Sequence, residues 1–191
     1  MKRIALATLA LALAACGSSG GTAAPSFASS AEIKTYLEGK TLVMTGADIP
    51  SHPNGFNEDV NYGAYSQCYA DTTITIGSDT WHVVSHTGTI SGTPAACDHV
   101  SAATAAFDST AVAISNVQGN GECFDITVTY TGFSQAGRGA FKDNGATLEL
   151  ELFFGGQAVN ANCANGLPGA SGVLLGGVAF TGDAVQTYRI H

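Results

Sequence analysis

Two stretches in the second half of the chain alternate strictly between apolar and polar residues, and this pattern is the strongest constraint on the fold. The stretches cover residues 123–131 and Thr147–Phe154. A period of two with one apolar side is typical of strands in an antiparallel sheet that faces water on one side. The residues predicted to face one core are Phe124, Ile126, Val128, Leu148, Leu150 and Leu152. The glutamates between them, Glu149 and Glu151, are predicted to face solvent.

Other β-branched and apolar segments extend the prediction to an all-β domain of about eight strands. The further strands are predicted at residues 41–47, 66–76, 80–88, 111–117, 173–181 and 185–190. Asp143-Asn144-Gly145 is a strong turn signal in the link between the two alternating segments. Eight antiparallel strands either close into a barrel or split into a sandwich, and the barrel is slightly favoured.

A short helix is predicted just before the first strand, over residues 30–38. Ser29 or Ser30 can cap its N-terminus, and Gly39 ends it. The chain then enters the first strand directly through Leu37-Glu38-Gly39-Lys40-Thr41. This order resembles lipocalin-like barrels in outline. That family has Gly-x-Trp at this point, whereas Thr41 takes the place of the tryptophan here, and the single tryptophan, Trp81, comes about two strands later.

The first residues of the chain have the organisation of an export signal. Lys2 and Arg3 precede an apolar run over residues 4–15 that only Thr8 interrupts. Twelve residues make about 18 Å of helix, too short for the roughly 30 Å of a bilayer core. A signal-peptide core has this length.

The run ends in Leu13-Ala14-Ala15-Cys16, followed by Gly17, which resembles the lipobox of bacterial lipoproteins. The resemblance implies cleavage before Cys16 and attachment of lipid to its sulfur. Gly17, in place of an aspartate that retains lipoproteins at the inner membrane, favours the outer membrane, with the domain in the periplasm or on the cell surface. The predicted organisation is a signal peptide at 1–15, a lipidated cysteine with a flexible tether at 16–30, and the β-domain at 31–191.

Charge argues against a nucleic-acid partner. The chain has seven basic and 15 acidic residues, and loss of Lys2 and Arg3 with the signal leaves a net charge of −10. Such a surface repels phosphate backbones. The expected partners are the membrane, through the lipid on Cys16, and a small apolar ligand or another envelope protein.

Four cysteines remain besides Cys16, an even number that in an oxidising compartment predicts two disulfides. They are Cys68, Cys97, Cys123 and Cys163. Three pairings are possible, and sequential pairing is favoured because each bridge then closes a loop of moderate length. A zinc site is disfavoured, since no two of these cysteines are two to four residues apart.

No metal or catalytic site stands out. His82 and His86 would lie about 13 Å apart on a strand, too far to share an ion. The oxygen-bearing residues of one loop resemble the start of a calcium-binding loop, but its closing glutamate is missing; they are Asn57, Asp59 and Asn61. Cys97-Asp98-His99 would need a free thiolate.

The sequence thus favours a non-catalytic binding or accessory module without a cofactor. In one version Phe124, Tyr130, Leu152 and Phe154 line a cavity for an apolar ligand, and in the other they form an ordinary packed core. The alternative is an exported hydrolase whose site is assembled from distant residues. A pocket that holds His52 or His99 beside a carboxylate would favour the hydrolase.

Overall fold

A computed structural model describes residues 25–45, 68–91, 96–182 and 184–191. It contains one helix, α1 (Ser30–Leu37), and eleven strands among the described residues. In chain order they are β1 (Thr41–Thr45), β2 (Tyr69–Ile76), β3 (Trp81–Ser91), β4 (Ala96–Gln118), β5 (Cys123–Tyr130), β6 (Phe133–Lys142), β7 (Thr147–Phe154), β8 (Ala158–Val159), β9 (Leu174–Leu175), β10 (Val178–Ala179) and β11 (Val185–Ile190).

Eight of the strands close into an antiparallel barrel, which confirms the all-β prediction and decides for the barrel over the sandwich. The order around the barrel is β1-β11-β7-β6-β5-β4-β3-β2. Strands β1 to β7 are thus neighbours in chain order, and β11 closes the barrel between β7 and β1. The three short strands β8, β9 and β10 form a separate small sheet.

The number of barrel strands agrees with the prediction, but one member differs. Residues 173–181 were predicted as a strand of the main sheet and instead form the β9–β10 hairpin outside the barrel. The eighth barrel strand is instead β6, which lies between β5 and β7. It comes from the segment that was predicted only to link the two alternating stretches. The predicted turn at Asp143–Gly145 is confirmed as a short 3-10 turn between β6 and β7.

Strand β6 has a glycine where its inner face meets a large aromatic ring. A Cβ at Gly139 would come within 2.6 Å of the Phe124 ring on β5 and 3.1 Å of the Leu150 side chain on β7. The glycine therefore makes room for Phe124, which is fully buried. Glycine is unfavourable in strands in general. For this reason the sequence pattern did not predict β6 as a strand.

Helix α1 covers one end of the barrel, the closed end. Ser29 caps the helix by accepting a hydrogen bond from the backbone N–H of Glu32, as predicted. Ile33 and Leu37 are buried on its inner face. The Tyr36 hydroxyl donates to the Gly145 carbonyl oxygen at 2.9 Å and so fixes the helix to the β6–β7 turn.

The packed domain begins before residue 31. Phe27, in the segment predicted as a flexible tether, is 3% exposed and stacks on Phe141 with 3.9 Å between ring centroids. Its backbone N–H donates to the Asn120 side chain at 2.7 Å. The Phe27 ring packs into the closed end of the barrel, and this contact explains why the chain around residue 27 is part of the packed domain.

The six apolar residues predicted to share a core do so. Phe124, Ile126, Val128, Leu148 and Leu150 are buried inside the barrel, and Leu152 is partly buried against them. This outcome confirms that the two alternating segments, β5 and β7, turn their apolar sides to one core. They do not pair with each other, because β6 lies between them.

The prediction that Glu151 faces solvent was wrong. Glu151 does lie on the outer face of β7, but the chain between β7 and β11 covers it, and the residue is only 1% exposed. The carboxylate pairs with Nε of Arg138, which is fully buried, at 2.5 Å. The Arg138 guanidinium also donates to the carbonyl oxygens of Asn162, Gly166 and Ala170 in the covering segment.

A disulfide joins the covering segment to the barrel. Cys123 at the start of β5 is bonded to Cys163, 40 residues later, as sequential pairing predicted. The backbone N–H of Cys163 also donates to the Asp125 carboxylate at 2.7 Å. Cys68 is disulfide-bonded as well; the side chain of Cys97 lies outside the described residues.

Candidate functional site

A cavity lies between the strands at the end of the barrel opposite α1. We call this the open end, because no helix of the described residues covers it. The cavity volume that the centres of water molecules can occupy is about 50 Å³. Its lining residues are Tyr69, Thr72, Ile74, Trp81, Val83, Ser85, Tyr130, Gln135, Leu152, Gln186 and Tyr188. At about 10–15 Å³ for each water centre, this space holds about three to five waters.

The polar lining comes from side chains that point into the barrel. Along each strand these are alternate residues, and we call them the inward-facing row of that strand. On β2 the row runs from Ile76 through Ile74 to Thr72, and on β3 the neighbouring row ends at Ser85. On β6 the inward-facing row runs through two glycines to Gln135, which pairs with Val128 of β5, and then to Phe133. The rows on β2 and β3 are apolar near the closed end and polar near the open end, and Gln135 adds a polar group on β6, so the polar lining lies toward the open end.

Some of these polar groups bond to one another. The Thr72 hydroxyl donates to the Ser85 hydroxyl at 3.0 Å. The Tyr188 hydroxyl donates to the Gln186 side-chain oxygen at 2.8 Å. These two bonds link β2 with β3 and hold two side chains of β11 in place.

Three other lining groups have no such partner. Within the part of the chain that the structure describes, no hydrogen bond is found for the hydroxyls of Tyr69 and Tyr130 or for the side-chain amide of Gln135. Buried polar groups in native proteins are nearly always hydrogen-bonded to protein or to ordered water. Tyr130 is buried, so its hydroxyl requires water or a ligand in the cavity, whereas Tyr69 and Gln135 are half-buried and can also contact solvent.

Burial raises the pKa of all three cavity tyrosines. The pKa of Tyr130 rises to about 12, through loss of solvation and then through the neighbouring Tyr69. Loss of solvation also raises the pKa of Tyr69 and places the pKa of Tyr188 well above its ordinary value. The three hydroxyls thus stay protonated and neutral at physiological pH.

Aromatic rings extend from the cavity to its rim. Tyr130 stacks on Phe133, with 4.6 Å between centroids. Phe133 in turn contacts Phe107 at 5.6 Å and Phe154 at 5.7 Å between centroids. Phe107 is 45% exposed. We refer to Phe107, Phe133 and Phe154 as the aromatic rim.

The described lining includes no aspartate, glutamate, histidine, lysine or arginine. A general base or acid needs a titratable group with a pKa near the working pH, and tyrosines with raised pKa values do not meet this need. The described lining groups can form hydrogen bonds and apolar contacts.

The predicted cavity residues separate into two groups. Tyr130 and Leu152 line the cavity and Phe154 lies at the rim. Phe124 belongs instead to the packed core. The larger cavity thus lies near the open end, whereas beside α1 the space between the side chains is only about 10 Å³. The cavity and the packed core each describe one part of the barrel.

None of the histidines that the structure describes lines the cavity. His82 and His86 are on strand β3, as predicted, and each contacts its own carboxylate through Nδ1 at 2.6 Å, Asp108 and Asp71 respectively. Nδ1 of His99 lies 2.8 Å from the Tyr69 carbonyl oxygen. His52 lies outside the described residues.

The three candidate calcium ligands, Asn57, Asp59 and Asn61, also lie outside the described residues. Within the described ranges, no group of three or more histidine, cysteine or acidic side chains is placed to hold a metal ion.

Comparisons with known proteins do not assign the chain to a family. No protein-family model, curated protein or solved structure matches it. Among the described residues, no helix is both long and apolar enough to span a membrane.

Proposed function

We propose that this chain is an exported lipoprotein whose barrel is a non-catalytic binding module for a small ligand. The observation that carries the proposal is the cavity at the open end, where no hydrogen bond from a described residue reaches the hydroxyls of Tyr69 and Tyr130 or the side-chain amide of Gln135. Ligand sites are typically concave and mostly apolar, with a few polar groups that fix orientation. The aromatic rim and the polar lining together fit that description.

The anchoring part of the proposal rests on the N-terminal residues. Lipid on Cys16 would hold the barrel at the membrane, with the outer membrane favoured by Gly17. Stable anchoring takes more than one acyl chain, which a diacylglycerol on one cysteine supplies. The module would then present its cavity in the periplasm or at the cell surface.

The alternative of an exported hydrolase has less support. A histidine beside a carboxylate in the cavity would favour it, but the described lining contains neither. An accessory role toward another envelope protein is compatible with the anchor, and it would not use the cavity.

Cys16→Ser should abolish lipidation and leave the protein as a precursor or in the soluble fraction. The reason is that the acyl chains attach through the Cys16 sulfur. Metabolic labelling with palmitate, followed by membrane fractionation, measures both effects. Ser18→Ala is the matched control and should keep its label. Undiminished label in the Cys16→Ser variant would contradict lipoprotein anchoring.

A further inference from the structure

We infer that the cavity takes the uncharged, hydroxyl-bearing head of an amphipathic ligand whose apolar body lies against the aromatic rim. The inference rests on the proposed binding function and deepens it by naming the chemistry of the ligand. It follows from three properties of the site: its neutrality, its size, and the order of polar and apolar groups from the inside to the rim.

Neutrality comes from the lining residues. No described lining side chain carries a charge, and the three tyrosines keep their protons. A carboxylate or ammonium group that entered would lose its solvation with no opposite charge to replace it. The cost of burying an unpaired charge is far larger than that of burying a hydroxyl that finds hydrogen-bond partners.

Size limits how much of the ligand enters. The cavity has space for about three to five waters. A head group with about the same number of non-hydrogen atoms replaces those waters. Tyr69, Tyr130 and Gln135 can then both donate and accept hydrogen bonds, which suits the hydroxyl groups of a diol or triol.

The aromatic rim would contact the part of the ligand that remains outside the cavity. Phe107 and Phe133 contact the ring of Tyr130, which lines the cavity, and Phe154 contacts Phe133. Phe107 is 45% exposed. A ligand chain or ring that leaves the cavity would cover this exposed apolar area. The bound ligand therefore has its polar head inward and its apolar body outward.

The test compares three probes with one eight-carbon chain and different heads: 1-O-octylglycerol, octanoate and octylammonium. Trp81 lines the cavity and is the single tryptophan of the chain, so its fluorescence reports on the site. Titrations at neutral pH and below micelle-forming concentrations should give a saturable change with octylglycerol. Octanoate and octylammonium should bind at least about tenfold more weakly. Glycerol alone, which lacks the chain, should also bind more weakly.

Variants connect the effect to the cavity. Gln135→Leu should weaken octylglycerol binding by about tenfold and leave octanoate unchanged. Gln118→Leu makes the same change at an exposed position near the closed end and should bind like the unmodified protein. Thermal unfolding checks that both variants fold, and Tyr69→Phe, which removes one hydroxyl and keeps the ring, is the second cavity variant.

The outcomes separate the two proposals. Tighter binding of octylglycerol that is lost in a cavity variant supports the inference. If octanoate or octylammonium binds as tightly as octylglycerol, the neutral-head inference is overturned while the binding function stands. If none of the probes changes Trp81 fluorescence, the inference and the proposed use of the cavity both fail.

Discussion

Glu151→Ala should lower the free energy of unfolding by about 3–5 kcal/mol, because it removes one partner of a buried ion pair. Arg138 is completely buried and Glu151 almost so, with 2.5 Å between Nε and the carboxylate. Without Glu151, the guanidinium would remain in the interior as an uncompensated charge. Its hydrogen bonds to three carbonyl oxygens of the covering segment do not neutralise it.

Glu149→Ala is the matched control, two residues away on the same face of β7. Its side chain is 26% exposed and lies 3.4 Å from the Lys142 ammonium. Surface changes of this kind usually stay within about 0.5 kcal/mol. Urea unfolding of both variants gives the comparison. Equal, small effects would mean that the segment between β7 and β11 does not cover Glu151.

Leu150→Ala should lower the free energy of unfolding by about 2–5 kcal/mol, through lost transfer energy and the cavity that remains. Leu150 is fully buried in the dry half of the barrel, and its side chain packs at Gly139. The backbone around it belongs to paired strands on both sides, β6 and β11, so little collapse can fill the space.

Leu167→Ala makes the same substitution at a leucine that is 49% exposed and should have an effect within about 0.5 kcal/mol. Denaturant unfolding measures both variants. A small loss at Leu150 together with a large one at Leu167 would contradict the assignment of the inner face of β7.

The barrel was predictable where one strand face is dry and the other is wet. Strands β5 and β7 satisfy this condition, and the alternation predicted which of their residues face the core, although β6 lies between the two strands. The pattern does not reveal what covers the outer face, and for this reason Glu151 was misplaced. Glutamates in alternation look the same whether water or a later segment of the chain lies over them.

The exchange of one strand for another has a similar origin. Residues 173–181 are apolar because they pack on the outside of the barrel, where Val173, Leu175 and Phe180 form a second small core with Phe153. Their composition therefore resembles a barrel strand. Strand β6 does not, because glycine and Arg138 serve close packing and the buried ion pair rather than the usual strand preferences.

The cavity was only partly predictable. Tyr130 and Leu152 came from the alternating rows, but Thr72, Ser85 and Gln186 are polar residues at inward positions. Their positions two residues from inward apolar neighbours, such as Thr72 beside Ile74, were the available signal. A polar residue at the end of such a row also occurs where a strand simply leaves the core, so only closure of the barrel brings these groups together.

The central claim is that the barrel is hollow and polar at its open end, and a high-resolution crystal structure tests it most directly. We expect about three to five ordered waters, or a bound molecule in their place, within hydrogen-bond distance of Tyr69, Tyr130 and Gln135. Direct packing of these three side chains against one another, with no water or ligand between them, would contradict the claim.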